Sequence, residues 1–572
     1  MKSENIMTNF LPMTKSEMNK LGWKQCDIII VTGDAYVDHP SFGMAIIGRA
    51  LEANGYKVGI ISQPNWKSNN DFLELGKPKL FFGITSGNVD SMVNHYTVNK
   101  KKRSSDDYSP NGKAGLRPNR AVIVYTNKIK ENFKDSVVVL GGVEASLRRI
   151  SHYDYWNDKI RKSILLDSKA DILVYGMGEK PIVEIAKRIN SNENISTIDD
   201  IEGTVVKVKN TQKNWDKLPS HKEVLSNKNS HNEMVRIYDK NKNHKFAKIM
   251  YQKVGNQILK INIPSKPLTE AEMDEIYDLP FTRCPHPSYG NNKIPAYEQI
   301  FSSITSHRGC FGNCSFCAIA VHQGEVIQSR SQNSILNEVK KLVKHKKFKG
   351  TITDVGGPTA NMYKMTCKIG GCNNMNCLFP KICNNLQIDS QDKYIKLLNK
   401  VSKLDGVKNI FVASGVRHDL LLKNDNVMKN IIKKFTGGHL KVAPEHLNDI
   451  VTKLMNKPSS KLYFKFMELF KKYSKEAKKK QYIVPYFISG HPGCTKKMMI
   501  DMKNNLKESD HKLQQAADFY PTPMTISTAM YYTGKHPLTG EKIYIPKSIK
   551  EKMTQFGIMM WHKKKRREYR KM

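Results

Sequence analysis

No stretch of this chain approaches the roughly 18 consecutive apolar residues that a bilayer-crossing helix needs, so no membrane contact is expected. Met1-Lys2-Ser3-Glu4-Asn5 leads into no signal-like apolar segment, and the expected compartment is the cytoplasm. Internal repeats are missing, as are the motifs of RNA-reading modules such as an RRM or a KH loop. Negative charge is scarce. Across 572 residues, 53 Asp and Glu face 93 Lys and Arg, a balance of +40 at pH 7. Hydrophobic residues make up 39% and charged residues 26%, which excludes a wholly disordered chain. At roughly 100–200 residues per domain, the length implies about three or four domains with sizeable cores.

Cysteine is rare over most of the sequence and dense in one part of it. Cys26, Cys284 and Cys494 stand alone, whereas Cys310, Cys314, Cys317, Cys367, Cys372, Cys377 and Cys383 crowd together. Disulfides are uncommon in a reducing compartment, so clustered thiols there point to metal.

Residues 1–190 alternate short apolar runs with helical segments. Strands are expected at Asp27–Thr32, Lys57–Ile61, Leu80–Ile84, Ala121–Tyr125, Ser136–Leu140 and Asp171–Tyr175, with a helix over Phe42–Asn54 that stops at Gly55. That alternation predicts a doubly wound parallel sheet, whose ligands would sit beyond the strands' carboxyl ends. Those ends carry Gly33-Asp34, Thr85-Ser86-Gly87, Gly141-Gly142 and Gly176-Met177-Gly178-Glu179, where turn formation competes with ligand binding as the reason for glycine. Residues 191–295 form a second segment. From Asn190 to Lys248 it is rich in Asn, Ser, Lys and Asp and reads as an insertion with little core; Ile249–Ile263 has some strand character. A connector from Phe281 to Tyr289 follows, whose prolines argue against regular structure.

A second alternating series occupies 296–535. Its expected strands are Ser302–Ser306, Gly350–Asp354, Asn409–Ser414, His439–Ala443, Gln481–Ser489 and Met524–Thr528, with helices such as Ser331–Lys344 and Tyr463–Lys478 between them. Repeated parallel βα units fit a full or partial barrel, with its site at the strands' C-terminal ends. Residues 536–572 form a polar extension ending in a basic run that includes Lys563-Lys564-Lys565-Arg566-Arg567.

Directly after the first strand of that series comes His307-Arg308-Gly309-Cys310-Phe311-Gly312-Asn313-Cys314-Ser315-Phe316-Cys317. The spacing C-x3-C-x2-C lets three thiolates wrap one corner of a cubane cluster and leaves the fourth iron without a protein ligand. Zinc would usually take a fourth protein ligand and paired C-x2-C spacing. Buried structural cysteines are the plain alternative, disfavoured by a loop flanked with glycine and polar residues.

The motif resembles that of the radical S-adenosylmethionine (SAM) superfamily. The likeness is closer to the YgiQ-type radical SAM family. It is carried by Asp34-Ala35-Tyr36-Val37-Asp38-His39-Pro40-Ser41-Phe42-Gly43, by Leu279–Arg283 with His286–Tyr289, and by Ser306–Cys310. His322-Gln323-Gly324, Gln328–Ser331, Asp354–Asn361 and Ser414–Arg417 add to it, so that it covers nearly the whole chain. The resemblance implies an α/β chain with an N-terminal doubly wound, cobalamin-domain-like sheet followed by a partial (βα)6-type radical SAM barrel.

It also implies cofactors and roles. Cys310, Cys314 and Cys317 would hold a 4Fe-4S cluster, and SAM would bind the open iron, with Phe316 near its adenine. Gly356 and Gly357, in a turn where Pro358 replaces the usual Glu, would offer backbone to the methionyl amine. Arg417 would hold the SAM carboxylate as a bidentate partner, with a salt bridge as the competing role. Ile488–Gly493 would frame the adenine by position alone. An external one-electron reductant of flavodoxin or ferredoxin type would start the reaction, ending in a 5′-deoxyadenosyl radical that abstracts a substrate hydrogen.

Cobalamin domains often supply a lower ligand from Asp-x-His-x-x-Gly, but here Asp38 and His39 are adjacent, so His-on cobalamin is not expected, and whether the domain binds cobalamin without that ligand stays open. Cys367, Cys372, Cys377 and Cys383 could hold a second cluster, a zinc ion or nothing. The basic excess makes RNA a candidate partner or substrate. A non-catalytic iron–sulfur or zinc protein that binds RNA is the alternative from another class.

Overall fold

Runs of Ile, Val, Leu and Phe form β1 (Ile28–Thr32), β2 (Val58–Ser62), β3 (Phe81–Thr85), β4 (Val138–Leu140) and β5 (Ile172–Val174). These strands pair in parallel in the order β2-β1-β3-β4-β5. Ile28 stands opposite Val58 on one side and Phe81 on the other. All five residues of β1 are buried, as an interior parallel strand covered on both faces requires. The computed structural model describes residues 9–372, 376–508, 513 and 515–562. It divides into two units, Met1–Pro267 with Asp274–Phe301, and Leu268–Met273 with Ser302–Met572.

Two expectations for the first unit need correction. Ala121–Tyr125 is not a strand but the start of the helix Ala121–Asn132, with Ala121, Val122, Tyr125 and Ile129 buried at helical spacing. A five-residue apolar run cannot by itself separate a strand from a buried helix. Nor is 190–248 an insertion with little core. It supplies β6 (Thr204–Val208) and β7 (Asp216–Lys217), which with β8 (Met250–Val254) and β9 (Gln257–Ile261) extend the sheet to nine strands. Val205, Val206, Val224 and Met234 are buried within 190–248, and Leu259 and Ile261 in the strand-like Ile249–Ile263. The polar residues that suggested little core terminate helices instead. Ser220 and Glu223 form a reciprocal capping box, and Asn227 caps the helix Lys228–Lys240.

The strand order reverses between β1 and β3, where open α/β sheets usually take their ligand. Here that crevice holds Arg117. Its guanidinium lies 2.9 Å from Asp34 and 3.1 Å from Asp106, and it donates to the Ser86 carbonyl at 2.6 Å. A Cβ on Gly33 would fall 2.3 Å from the same carbonyl, so the β1 turn demands glycine for packing. Burial pushes Asp34 up to about 6 against the pull of Arg117. Asp38 chelates Arg49 at 3.1 and 2.6 Å, and His39 Nδ1 accepts the Ser41 N–H at 3.1 Å. The proline-containing connector clasps the same loop. Cys284-Pro285 pairs antiparallel with Val37-Asp38, and the Tyr36 N–H donates to the Tyr289 hydroxyl at 2.8 Å. Outside β2, the Ile60 N–H donates to the Pro12 carbonyl at 2.9 Å.

The second unit is the barrel. Its strands are β10 (Ser303–Thr305), β11 (Thr351–Ile352), β12 (Asp354–Gly356), β13 (Asn409–Ile410), β14 (His439–Glu445), β15 (Tyr482–Ser489) and β16 (Gln515–Asp518). β11 and β12 are one strand interrupted at Thr353. Parallel pairing runs β10 to β12, β11 to β13, Val416 to Val442, β14 to β15 and β15 to β16. Helices Gln332–Val343, Gln391–Val401, Asp425–Lys433, Ser460–Glu476 and Lys496–Glu508 fall between the strands, completing a partial (βα)6 barrel.

Its sixth strand is β16 and not Met524–Thr528. Thr525 accepts the Thr528 N–H and so starts the helix Ile526–Thr533, where Ile526, Ala529 and Met530 are buried. The run Gln515-Ala516-Ala517-Asp518 carries little β-branched signal of its own. Among the described residues no helix is long and apolar enough to cross a membrane. The basic run from Lys563 lies outside the described residues.

Removing one partner from a buried ionic group leaves uncompensated charge. Arg117→Ala should therefore destabilise the protein by about 3–5 kcal/mol. Arg236→Ala, at the surface pair with Glu233, should cost under about 1 kcal/mol. Thermal and urea unfolding of the two variants against the parent measures this; equal shifts would contradict it.

Candidate active site

The cysteine loop leaves the C-terminal end of β10 and is anchored at several points. Gly309 has φ +83°, and a Cβ there would lie 2.0 Å from the Val326 carbonyl, so only glycine fits. The Cys310 N–H donates to the Gly324 carbonyl at 3.2 Å and the Cys317 N–H to the Cys314 carbonyl at 3.0 Å. Ser315 is held from two sides: its N–H donates to Met455 O at 3.1 Å, and its hydroxyl lies 2.8 Å from that of Ser527. Asn456 donates to the Asn313 carbonyl at 3.1 Å. The helix Ala318–Gln323 begins immediately after Cys317.

Cys310, Cys314 and Cys317 are half-buried and outside any disulfide. A Cβ on Gly312 would meet the Cys310 sulfur and Arg417 Nη1 at 3.3 Å and the Cys314 sulfur at 3.8 Å, which places the loop glycine between two thiols and a guanidinium. Burial first, then Cys314 and Cys310, push the Cys317 thiol up to about 12. Burial and then Cys314 also raise Cys310. Thiolate ligation by iron would relieve this cost, since metal binding favours the deprotonated form. Among the described residues no three Cys, His, Asp or Glu side chains converge closely enough to hold a metal ion as they stand, these three included. The donor chemistry nevertheless fits a cluster: three thiols on one short, anchored loop beside a cation.

Arg417 reaches this loop, with Nη1 3.8 Å from the Cys314 sulfur. Its bidentate face is already occupied. Nε and Nη2 donate to the two Asp419 oxygens at 2.9 and 2.5 Å, so a bidentate hold on another carboxylate is not what the side chain offers. Asp419, two residues along, is the nearer acid. Burial would raise its carboxyl, but Arg417 outweighs this and holds it down to about 2.

Gly356 and Gly357 border the same loop through close packing. A Cβ on Gly356 would fall 2.1 Å from the Ser414 hydroxyl, and one on Gly357 would fall 2.6–2.7 Å from the His307 carbonyl and imidazole. Cys310 lies 3.9 Å from the Thr359 hydroxyl in the turn they begin. Phe316 sits edge-on to His491, with centroids 6.2 Å apart. Burial holds His491 down to about 3, and its Nε2 lies 2.7 Å from the Ser527 hydroxyl. The segment Ile488–Gly493, placed by position alone in the sequence, thus meets the aromatic residue of the cysteine motif.

One residue escaped the sequence reading. Glu445 ends β14 with φ +68° and is buried, and its Oε2 has no hydrogen-bond partner. Burial raises its carboxyl against the pull of Lys457, 3.6 Å away. A non-glycine residue in the left-handed region at a strand's C-terminal end is a mark of functional sites. The signal in sequence was Ala443-Pro444-Glu445-His446, an acid just past a strand run.

A cavity of about 1240 Å³ opens beside these residues, walled by Asp419, Cys383 and the loops following β12, β13 and β14. Seven lysines line it against Asp389, Asp419 and Asp449, so its surface favours an anion.

Comparison with known proteins agrees with this architecture. Residues 10–303 match the radical SAM N-terminal family, 304–506 the radical SAM superfamily, and 514–569 a domain of unknown function (DUF3362). A UPF0313 protein from Methanocella arvoryzae is 50% identical over 96% of this chain and 92% of its own length. One from Clostridium botulinum is 49% identical, covering 97% and 87%, and one from Geobacter sulfurreducens is 47% identical, covering 97% and 92%.

Among solved structures, the chain is similar to the radical SAM methyltransferase TsrM from Kitasatospora setae, with a TM-score of 0.48, 14% identity and coverage of 87% and 75%. It is also similar to the cobalamin-dependent SAM radical enzyme OxsB, with a TM-score of 0.47, 11% identity and coverage of 92% and 58%. Members of the radical SAM superfamily use a 4Fe-4S cluster and SAM and depend on an external reductant. With near-full-length relatives at about half identity, the chain belongs to the UPF0313 (YgiQ-type) family of the radical SAM superfamily.

Proposed function

We propose that this protein is an iron–sulfur enzyme that cleaves SAM reductively and directs the radical to a phosphate-bearing substrate, with RNA as the leading candidate. The observation that carries the first half is the C-x3-C-x2-C loop anchored at the end of β10 with Arg417 against Cys314. Cys310, Cys314 and Cys317 would hold the cluster. When bound, it supplies the single electron that breaks the sulfonium bond of SAM and yields a hydrogen-abstracting 5′-deoxyadenosyl radical.

The protein's own residues supply orientation. Arg417, fixed by Asp419, presents the remaining N–H groups of Nη1 toward the loop, enough for one charge-assisted bond to the SAM carboxylate. Gly356 and Gly357 keep the turn free of side chains at the methionyl end, and Phe316 with His491 gives an apolar wall for adenine. His491, neutral and bonded to Ser527, would bind without adding charge. The anionic substrate is supported by the lysine-lined cavity and by the +40 balance of the whole chain.

Changing Cys310, Cys314 and Cys317 together to Ala should abolish 5′-deoxyadenosine formation by anaerobically reconstituted, reduced protein. A normal yield from the variant would overturn this cluster site, whereas no yield from the reduced parent would favour the alternative, a non-catalytic iron–sulfur or zinc protein that binds RNA. Arg417→Gln should weaken SAM binding, normalised to cluster iron by elemental analysis, about 10- to 100-fold, the range for losing a charge-assisted hydrogen bond.

Lys423→Glu with Lys453→Glu should weaken RNA binding and lower the slope of log affinity against log salt by about 0.7 for each phosphate that is no longer neutralised. Unchanged affinity and slope would point to a protein or metabolite substrate. A chain ended after Trp561 gives the same measurement for the basic tail. Comparing modified nucleosides between cells with and without the gene would then identify the product.

A further inference from the structure

We propose that Cys367, Cys372, Cys377 and Cys383 form a second metal centre, a four-thiolate site for zinc or an iron–sulfur cluster, which holds together one wall of the cavity. The four fall within seventeen residues, spaced C-x4-C-x4-C-x5-C, on the segment between β12 and the helix Gln391–Val401.

The backbone draws the cysteines toward one another, although the four thiols, like the first three, do not converge closely enough to hold an ion as they stand. Cys367 pairs antiparallel with Leu386, and the rung is closed by Lys368 N–H to Asn385 O at 2.8 Å and Gln387 N–H to Thr366 O at 3.0 Å. On the returning side, the Cys383 N–H donates to the Cys377 carbonyl at 2.9 Å and the Leu386 N–H to the Cys383 carbonyl at 3.0 Å. Cys377 and Cys383 are therefore folded onto the rung that carries Cys367. Gly370 and Gly371, at φ +66° and +112°, turn the chain between Cys367 and Cys372. All four thiols are half-buried and none is in a disulfide. After burial, the groups that most perturb the Cys377 thiol are Cys383, Cys367 and Cys372, so its electrostatic neighbours are the other three cysteines.

The segment also needs something to order it. Between the turns Ala360–Met362 and Ile388–Ser390, the described residues form no helix and no strand beyond that single bridge. Loops longer than about 12–15 residues without regular structure are uncommon in compact domains unless they are functional. Met365, Leu378 and Leu386 are the buried apolar residues that the loop itself contributes to a small cluster shared with Phe311, Met362 and Leu420. So small a core is the setting in which a metal commonly supplies folding energy. Four sulfur donors select zinc or an iron–sulfur cluster over harder ions. Cys310 and Cys377 both pack against that cluster, and Cys383 lines the cavity, so the centre would lie near the first site.

The test uses full-length protein lacking the first site, Cys310→Ala with Cys314→Ala and Cys317→Ala, purified anaerobically and either loaded with zinc or reconstituted with iron and sulfide. Elemental analysis should find about one zinc, or iron with matching sulfide and visible charge-transfer absorption, in this variant. The metal should be lost when Cys367, Cys372, Cys377 and Cys383 are also changed to Ser. The four-serine variant alone should keep its first-site iron. No bound metal in the three-alanine variant under either loading would overturn the proposal, as would recovery of the four thiols as two disulfides by alkylation and mass spectrometry. The decisive readings come from the variant with the second group intact, so misfolding of the serine variants leaves the proposal testable. None depends on SAM cleavage, so failure of the enzymatic reading and failure of this one are distinguishable.

Discussion

Three thiols on one short loop at the end of a barrel strand are costly to charge and of no use as ligands uncharged. Burial and mutual repulsion push Cys310 and Cys317 toward the neutral form, whereas iron binds thiolate. The site answers this with a guanidinium that is itself fixed. Arg417 is buried, locked by both oxygens of Asp419, and reaches Cys314 with the nitrogen left over. Much of the surrounding packing serves the same end. Gly309 and Gly312 exist to let backbone and guanidinium approach, and residues 454–456 and Ser527 hold the loop from outside the first βα unit.

The first unit handles charge in the opposite way. Where its strand order would open a ligand crevice, Arg117, Asp34 and Asp106 close on one another beside the Ser86 carbonyl. The acid and imidazole of the Asp38–Gly43 loop likewise have partners, in Arg49 and the Ser41 N–H. The family motifs around residues 34–43 and 281–289 are thus two halves of one clasp, joined by backbone pairing.

Most of the architecture was legible because parallel strands buried on both faces leave unbroken apolar runs, as at Ile28–Thr32. Legibility failed where signals were short or compensated. Ala121–Tyr125 was too brief to reveal its period, Gln515–Asp518 too poor in β-branched residues, and β6 and β7 were masked by the caps and lysines around them. At the site, spacing singled out the three-cysteine loop, and the family resemblance singled out Phe316, which packs against His491. The pairing of Arg417 with Asp419 was hidden, because nothing in a sequence says which of several acids a guanidinium will choose. Glu445 was missed because its distinguishing feature is a backbone angle.

The bond from Ile60 N–H to the Pro12 carbonyl has a bearing on how the molecule behaves in a crowded solution. A nine-stranded sheet has two edges, and each is a template on which another chain can add a strand. At one end β7 is only two residues long, too short to recruit a partner strand. The other edge, β2, is the hazard: Val58-Gly59-Ile60-Ile61-Ser62 is apolar and carries no charge. The segment entering the sheet covers it, with Phe10 and Leu11 buried in the core and Pro12 capping the central amide of the edge. Loss of that short segment would leave the fold's hydrophobic edge bare, so a nick before Met13 would favour self-association of otherwise native molecules.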